Sequence, residues 1–269
     1  MYLFDSAIAV TQTAPEHFAA DISEHFSING TPNGGYLLAV LAKAMLQQSD
    51  KTATPVLTAN YLSRTTPGKA QIAVETISQS RQFTRLEARL GQREKETLRC
   101  FGTFAIAPDA CFVKRHEAAV PAVADVSECI RIPALPGYSV YENLDIRLDP
   151  ECAGWMENRL SETSEHKGWL RFPDGRPLDL FAVCLAADTF PPAVMASHGA
   201  VAWVPTLEFS VSIRNLPTDG WLRCRFQTRF INCGLLEEDG EIRDENNELI
   251  AVSRQIAQFR QIEKQTAPT

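Results

Sequence analysis

Two stretches of the chain are almost wholly apolar: NGGYLLAVLAKAML (33–46) and LDLFAVCLAAD (178–188). Each predicts a helix without a polar face, which must be surrounded by other protein. Around them, apolar and polar positions alternate with the period of two that marks a strand with one buried face. FTRLEARL (83–90) sets Thr84, Leu86, Ala88 and Leu90 against Phe83, Arg85, Glu87 and Arg89. WLRCRFQTRF (221–230) sets Leu222, Cys224, Phe226 and Thr228 against polar neighbours. YLFDSAIAV (2–10) predicts a first strand and HFAADI (17–22) another. The polar runs GQREKE (91–96) and DENNE (244–248) predict hairpin tips. Asn29, Gly30, Pro32, Asn33, Gly34 and Gly35 form a dense turn signal before the first helix, with Asn33 at the N-cap position.

The pattern occurs twice. The first helix leads into TANYLSRTTPG (58–68) and strands ending at LRCFGTFAIA (98–107); the second leads into LEFSVSIRNLPTDG (207–220) and strands ending at IAVSRQIAQF (250–259). Arg64 and Arg214 stand at matching places, each three residues before a proline, Pro67 and Pro217. Two helix-then-sheet units make a tandem repeat. Residues 108–136, with Pro108, Pro121, Pro133 and Pro136 and no strong period, predict a linker carrying a short helix around AVADVSECI. The units therefore span 1–107 and 137–269. The expected class is α+β: two antiparallel sheets, each wrapped around a long apolar helix and joined edge to edge into one continuous sheet. That arrangement is the hotdog fold, and its tandem version a double hotdog.

Composition narrows the functions. A chain of 269 residues with 45% hydrophobic residues can bury a substantial core. A net charge of −7 and a pI near 5.3 disfavour nucleic acid as a partner. The N-terminus lacks the basic and apolar regions of a signal peptide, and no apolar run approaches membrane-spanning length, so a cytoplasmic protein without a membrane partner is expected. The seven cysteines form no CxxC and the five histidines no metal spacing, so no metal or other cofactor is expected. GxSxG, GxGxxG and P-loop motifs do not occur.

PNGGYLLAVLAKAM followed by TANYLSRTTPGKAQIAVETISQSRQFTRLEARLGQ resembles the N-terminal hotdog of the acyl-CoA thioesterase II-like proteins. LAADTFPP, VPTLEFSVSIR and LIAVSRQIAQF resemble their C-terminal hotdog. The resemblance implies hydrolysis of an acyl-CoA thioester without a metal or a covalent acyl-enzyme. It also implies an Asp on the second helix, a Thr at the head of the next strand and a Gln on the last strand, together holding the attacking water. The matching positions are Asp188, Thr206 and Gln255. Glu208 stands where the family usually has Asp, and Phe209 where it often has His. Free sheet edges and the resemblance together imply a homo-oligomer of double hotdogs.

The chemistry fits these residue types. A thioester is already activated, so its hydrolysis needs a base, a positioned water and a partner for the oxyanion. A carboxylate at the end of an apolar helix has its charged form disfavoured and becomes a usable base. A hydroxyl and a carboxamide each donate and accept, and can orient a water. Backbone N–H groups at Gly34 and Gly35 are candidates to meet the oxyanion, and Asn33 a candidate ligand contact beside them. The first unit has Lys43 and Ala44 where the second has Ala187 and Asp188, so one working site is expected. The alternative from another class is a non-catalytic acyl-CoA or lipid-binding module. A hydratase is disfavoured, since 33–48 and 178–188 contain no histidine.

Overall fold

The computed structural model describes residues 1–106, 113–218 and 220–261. The start of the expected linker (108–112) and the end of the second unit (262–269) lie outside the described residues.

The chain opens with a helix, α1 (Leu3–Ala7), where a strand was expected over 2–10. Phe4, Ala7 and Ile8 recur at helical spacing and all three are buried. The Phe4 ring lies 5.2 Å from both Phe26 and Phe172. Arg176 stacks over Phe4 and bridges Asp5 at 2.7 Å and Asp179 at 2.6 Å, which pins α1 in place. Extended chain begins only with β1 (Val10–Ala14) and β2 (His17–Ile22). After two short strands, β3 (Ser27–Ile28) and β4 (Thr31–Pro32), come α2 (Gly34–Gln48) and the long strands β5 (Ala53–Tyr61), β6 (Gly68–Gln79), β7 (Phe83–Gln92) and β8 (Lys95–Ala105). The tip expected at 91–96 is a tight turn with Arg93 and Glu94 at φ of 50° and 64°.

The second half holds β9 (Ile130–Arg131), a turn of helix α3 (Ser139–Glu142), β10 (Asp145–Leu148) and β11 (Ser164–Arg171). Helices α4 (Leu180–Ala186) and α5 (Val194–His198) follow. Then come β12 (Ala202–Trp203), β13 (Thr206–Ile213), β14 (Leu222–Thr228), β15 (Ile231–Asn232), β16 (Leu235–Arg243), β17 (Leu249–Gln258) and β18 (Arg260–Gln261). The short helix expected around 122–130 is a turn leading into β9. Ala124 is held on both sides, its N–H donating to Asp149 and its carbonyl accepting from the Trp169 indole, both at 2.8 Å. Those bonds to the adjoining sheet replace the intrahelical ones.

One antiparallel sheet of 14 strands runs through both halves, in the order β1-β2-β6-β7-β8-β5-β13-β17-β16-β14-β11-β10-β9, with β15 beside β16. The halves join where β5 pairs β13, placing Leu57 opposite Val211 and Ala59 opposite Phe209. A hydroxyl pair, Thr58 and Ser210, spans the join at 3.0 Å. The 15-residue α2 packs across β5 to β8, and its Leu38, Val40, Leu41 and Met45 are wholly inaccessible. Burying each such side chain is worth about 1.5–3 kcal/mol.

The second helix is much shorter than expected. α4 has seven residues, capped by the Asp179 carboxylate on the Ala182 N–H. It stops after Ala186 because Thr189 turns its hydroxyl back onto the Leu185 carbonyl and Pro191 and Pro192 cannot continue a helix. α2 and α4 cross at Gly35, where an added Cβ would lie 2.4 Å from the Cys184 carbonyl oxygen and 3.0 Å from that of Leu185. Because both obstacles are backbone, Gly35→Ala is expected to destabilise the protein by on the order of 3 kcal/mol. Chemical unfolding measures this; an unchanged midpoint would show that the crossing yields freely.

Candidate active site

The α2 N-terminus and the segment just after α4 meet at one carboxylate, that of Asp188. Asn33 caps α2 as its sequence position suggests, its Oδ1 accepting the Tyr36 N–H at 2.9 Å. Its Nδ2 donates to the Asp188 carbonyl at 2.7 Å and to Asp188 Oδ2 at 3.0 Å. The Gly35 N–H also donates to Oδ2, at 2.9 Å. Tyr61, on β5, donates its hydroxyl to the Gly34 carbonyl at 2.7 Å. A Cβ on Gly34 would fall 2.8 Å from both Asp188 Oδ2 and the Tyr61 hydroxyl, so only glycine lets the three groups close together. Burial pushes the Asp188 carboxyl up to about 6, although the N–H groups of Gly35 and Gly34 and the Asn33 amide pull the other way. The same burial, reinforced by the Asp188 charge, holds the Tyr61 phenol well above its ordinary value.

Thr206 and Gln255 form a second group. The Thr206 hydroxyl donates to Gln255 Oε1 at 2.6 Å, and Gln255 Nε2 donates to Glu238 Oε1 at 2.8 Å. Glu238 Oε2 in turn accepts the Ala193 N–H at 2.6 Å. A bulge makes this possible. Thr206 pairs with Ala257 while Glu208 pairs with Ile256, so Leu207 is the extra residue. Leu207 and Glu208 both face outward, and Thr206 is turned to the inner side beside Gln255. Phe209, standing where the resemblance suggested His, is buried and directly opposite Gln255.

Among the described residues, no hydrogen bond joins Asp188 to Thr206, Gln255 or Glu238. Burial pushes the Glu238 carboxyl up to about 7, against the hydrogen bonds from Ala193 and Gln255, and the Asp188 charge adds to the rise. The sequence placed Gly34 and Gly35 against an oxyanion. In the structure the Gly35 N–H is committed to Asp188 instead, because an ionised side chain is the strongest acceptor in reach of a helix start. Surface hollows of about 430 and 1130 Å³ lie elsewhere, and neither is lined by Asp188, Thr206 or Gln255.

Sequence reasoning missed Tyr61 and Glu238. A faint signal for Glu238 existed in the hairpin tip at 244–248. Counting back symmetrically from Gln255 lands on Glu237, and a register shift between Ile242 and Arg243 moves the partner on by one, to Glu238.

Comparison with known proteins gives a consistent picture. Residues 22–105 match the family model described as the acyl-CoA thioesterase N-terminal domain, and residues 115–259 that of the C-terminal domain. A thioesterase-like protein, TwmA, of Talaromyces wortmannii is 22% identical over 98% of this chain and 94% of its own length. A putative thioesterase II from Thermobifida fusca superposes with a TM-score of 0.89 at 25% identity, over 96% of this chain and 98% of that one. A protein of unknown function with a hotdog fold, from Alicyclobacillus acidocaldarius, superposes with a TM-score of 0.88 at 19% identity over the whole of both chains. The antiparallel sheet with few helices is thus an α+β hotdog architecture.

The two raised carboxyls carry a consequence for stability. Between about pH 4 and 7 the folded chain holds protons that the unfolded chain releases, so stability is present at low pH and is lost as pH rises. Glu238→Gln removes one of these groups, whose carboxyl rises from 4.5 to about 7 on folding. Urea unfolding at pH 5 and pH 8 should show a stability loss smaller than that of the native protein by on the order of 3 kcal/mol. An identical loss in both proteins would mean Glu238 titrates normally.

Proposed function

We propose, for a chain that belongs to the acyl-CoA thioesterase family and is a thioester hydrolase, that Asp188 is the general base of a single active site in which Thr206 and Gln255 hold the attacking water. The observation that carries this reading is the state of Asp188: a carboxyl raised to about 6 and held on Oδ2 by Asn33 and Gly35. The hydrogen bonds from Asn33 and Gly35 end on Oδ2, and this reading takes Oδ1 as the atom that receives the proton. A base with a pKa just below neutrality is ionised at working pH yet strong enough to receive a proton in the transition state.

The chemistry then runs in two steps. Water gives a proton to Asp188 Oδ1 while its oxygen bonds to the thioester carbonyl carbon, forming a tetrahedral oxyanion. That intermediate collapses, the carbon–sulfur bond breaks, and the departing coenzyme A thiolate takes the proton from Asp188. Free acid and thiol are the products, and the carboxylate is restored. Asn33, Gly34 and Gly35 are read as the substrate-side wall beside Asp188, offering backbone and amide groups to the thioester. Once protonated, Asp188 accepts more weakly, which frees the Gly35 N–H for the oxygen of the intermediate.

The same reading takes the two halves as a double hotdog, with units 1–107 and 137–269 around the linker 108–136. The first unit gives the helix N-terminus and the second the acid. The first unit has no carboxylate matching Asp188; its Lys43 instead lies over the Phe181 ring, 4.7 Å from the centroid.

Thiol release from acyl-CoAs of graded chain length, with benzoyl-CoA and phenylacetyl-CoA, tests the proposal. Native turnover should fall at least about a hundredfold in Asp188→Asn, the scale of a lost general base. Native kcat/KM should rise with pH through about 6, because only ionised Asp188 can take the proton. Full activity in Asp188→Asn would remove Asp188 as the base; no turnover on any acyl-CoA would mean a different thioester.

A further inference from the structure

We propose that Glu238 is a positioning residue: it fixes which way round the Gln255 carboxamide sits, and thereby makes the Thr206 hydroxyl an acceptor toward the attacking water. The inference rests on the reading of Thr206 and Gln255 as the groups that hold that water.

The two ends of a carboxamide have nearly the same shape, so packing alone does not choose between them; a hydrogen-bond partner does. Glu238 is that partner. It lies directly opposite Gln255 across β16 and β17 and is 5% exposed. Its Oε2 is occupied by the Ala193 N–H, so Oε1 alone faces Gln255. An ionised carboxylate can only accept, and only the NH2 end of the amide can donate. Gln255 must therefore turn its Nε2 to Glu238 and its Oε1 to Thr206, the arrangement observed at 2.8 and 2.6 Å.

The next link follows from the same rule. Gln255 Oε1 cannot donate, so the single Thr206 proton is spent on it, and the lone pairs of Thr206 are what the hydroxyl offers to anything else. A water that gives one proton to Asp188 has a second proton to place. An acceptor at Thr206 holds that second proton and so aims the oxygen lone pair at the carbonyl carbon. With the amide reversed, Thr206 would accept from Gln255 and point its own proton at the water, occupying the lone pair needed for attack.

A buried acid is a costly way to fill this space, since burial raises its carboxyl to about 7. If Glu238 served packing alone, the isosteric Gln would serve as well. Chemistry and packing thus rank two substitutions in opposite orders. Glu238→Gln keeps the volume, but to satisfy the Ala193 N–H it must show its own NH2 to Gln255 and flip that amide. Glu238→Asp disturbs packing but keeps an acceptor that cannot donate.

The test is steady-state hydrolysis at pH 8, where both acids are ionised, using the best acyl-CoA of the native enzyme, with thermal melts to establish folding. Glu238→Gln is expected to lower kcat up to about a hundredfold, the scale of a misaligned reactant, with KM unchanged. Glu238→Asp should stay nearer the native kcat than Glu238→Gln. The double variant E238Q/Q255A should be no slower than Q255A, because Glu238 acts only through Gln255. Native kcat in Glu238→Gln, a worse kcat in Glu238→Asp than in Glu238→Gln, or multiplying losses in the double variant would each overturn the proposal while leaving the site intact. If Glu238→Gln does not fold, a hundredfold loss of kcat in a folded Glu238→Asp overturns it. Native kcat in Q255A would instead remove Gln255 from the site, and this proposal with it.

Discussion

The centre of this molecule depends on how closely two apolar helices cross. At Gly35 the backbone of α2 lies against the carbonyls of Cys184 and Leu185 with no room for a methyl group. That closeness is what brings the Gly35 N–H within hydrogen-bonding distance of Asp188, a residue 153 positions away. The crossing in turn requires both helices on the same side of a single sheet, which the β5–β13 join enforces. Loosening the join or widening the crossing would leave a desolvated carboxylate without its donors, an outcome far costlier than losing one contact.

The polar groups of the candidate site differ in how fully they are paired. Asp188 is held on Oδ2 by Asn33 and Gly35, and Thr206 has spent its proton but not its lone pairs. Glu238 has both oxygens taken, by Ala193 and Gln255. Groups with capacity left over can act on a substrate, whereas a saturated group can only arrange its neighbours.

Local pattern made much of the architecture legible. The alternation in 83–90 and 221–230, the tips at 91–96 and 244–248 and the Asn33 cap all arise from interactions within a few residues, which the sequence displays directly. Where a competing signal existed, pattern misled. Residues 2–10 are apolar enough for a strand, yet Phe4, Ala7 and Ile8 obey a helical period, and the aromatic stack on Phe26 and Phe172 decides between them. The apolar run at 178–188 suggested a helix as long as the first, but Thr189 and the following prolines cut it to seven residues. The trio Asp188, Thr206 and Gln255 came from resemblance, not from periodicity. What surrounds it was hidden for two reasons. Glu238 faces Gln255 only because of a register shift, and Thr206 faces inward only because Leu207 is an extra residue in the strand. Neither irregularity leaves a mark on hydrophobic period.

The division of the centre between the halves limits how this chain can vary. Asp188 belongs to the second half and its N–H donors to the first. Two identical subunits placed the same way would supply two acids and two helix starts, and every substitution at one would be copied to the other. Here the first half has Lys43 and Ala44 within α2, and the second half carries Asp188 just after α4. Because both contributions lie on one chain, a substitution at Asp188 or at Gly35 changes one member of the contact without being copied elsewhere.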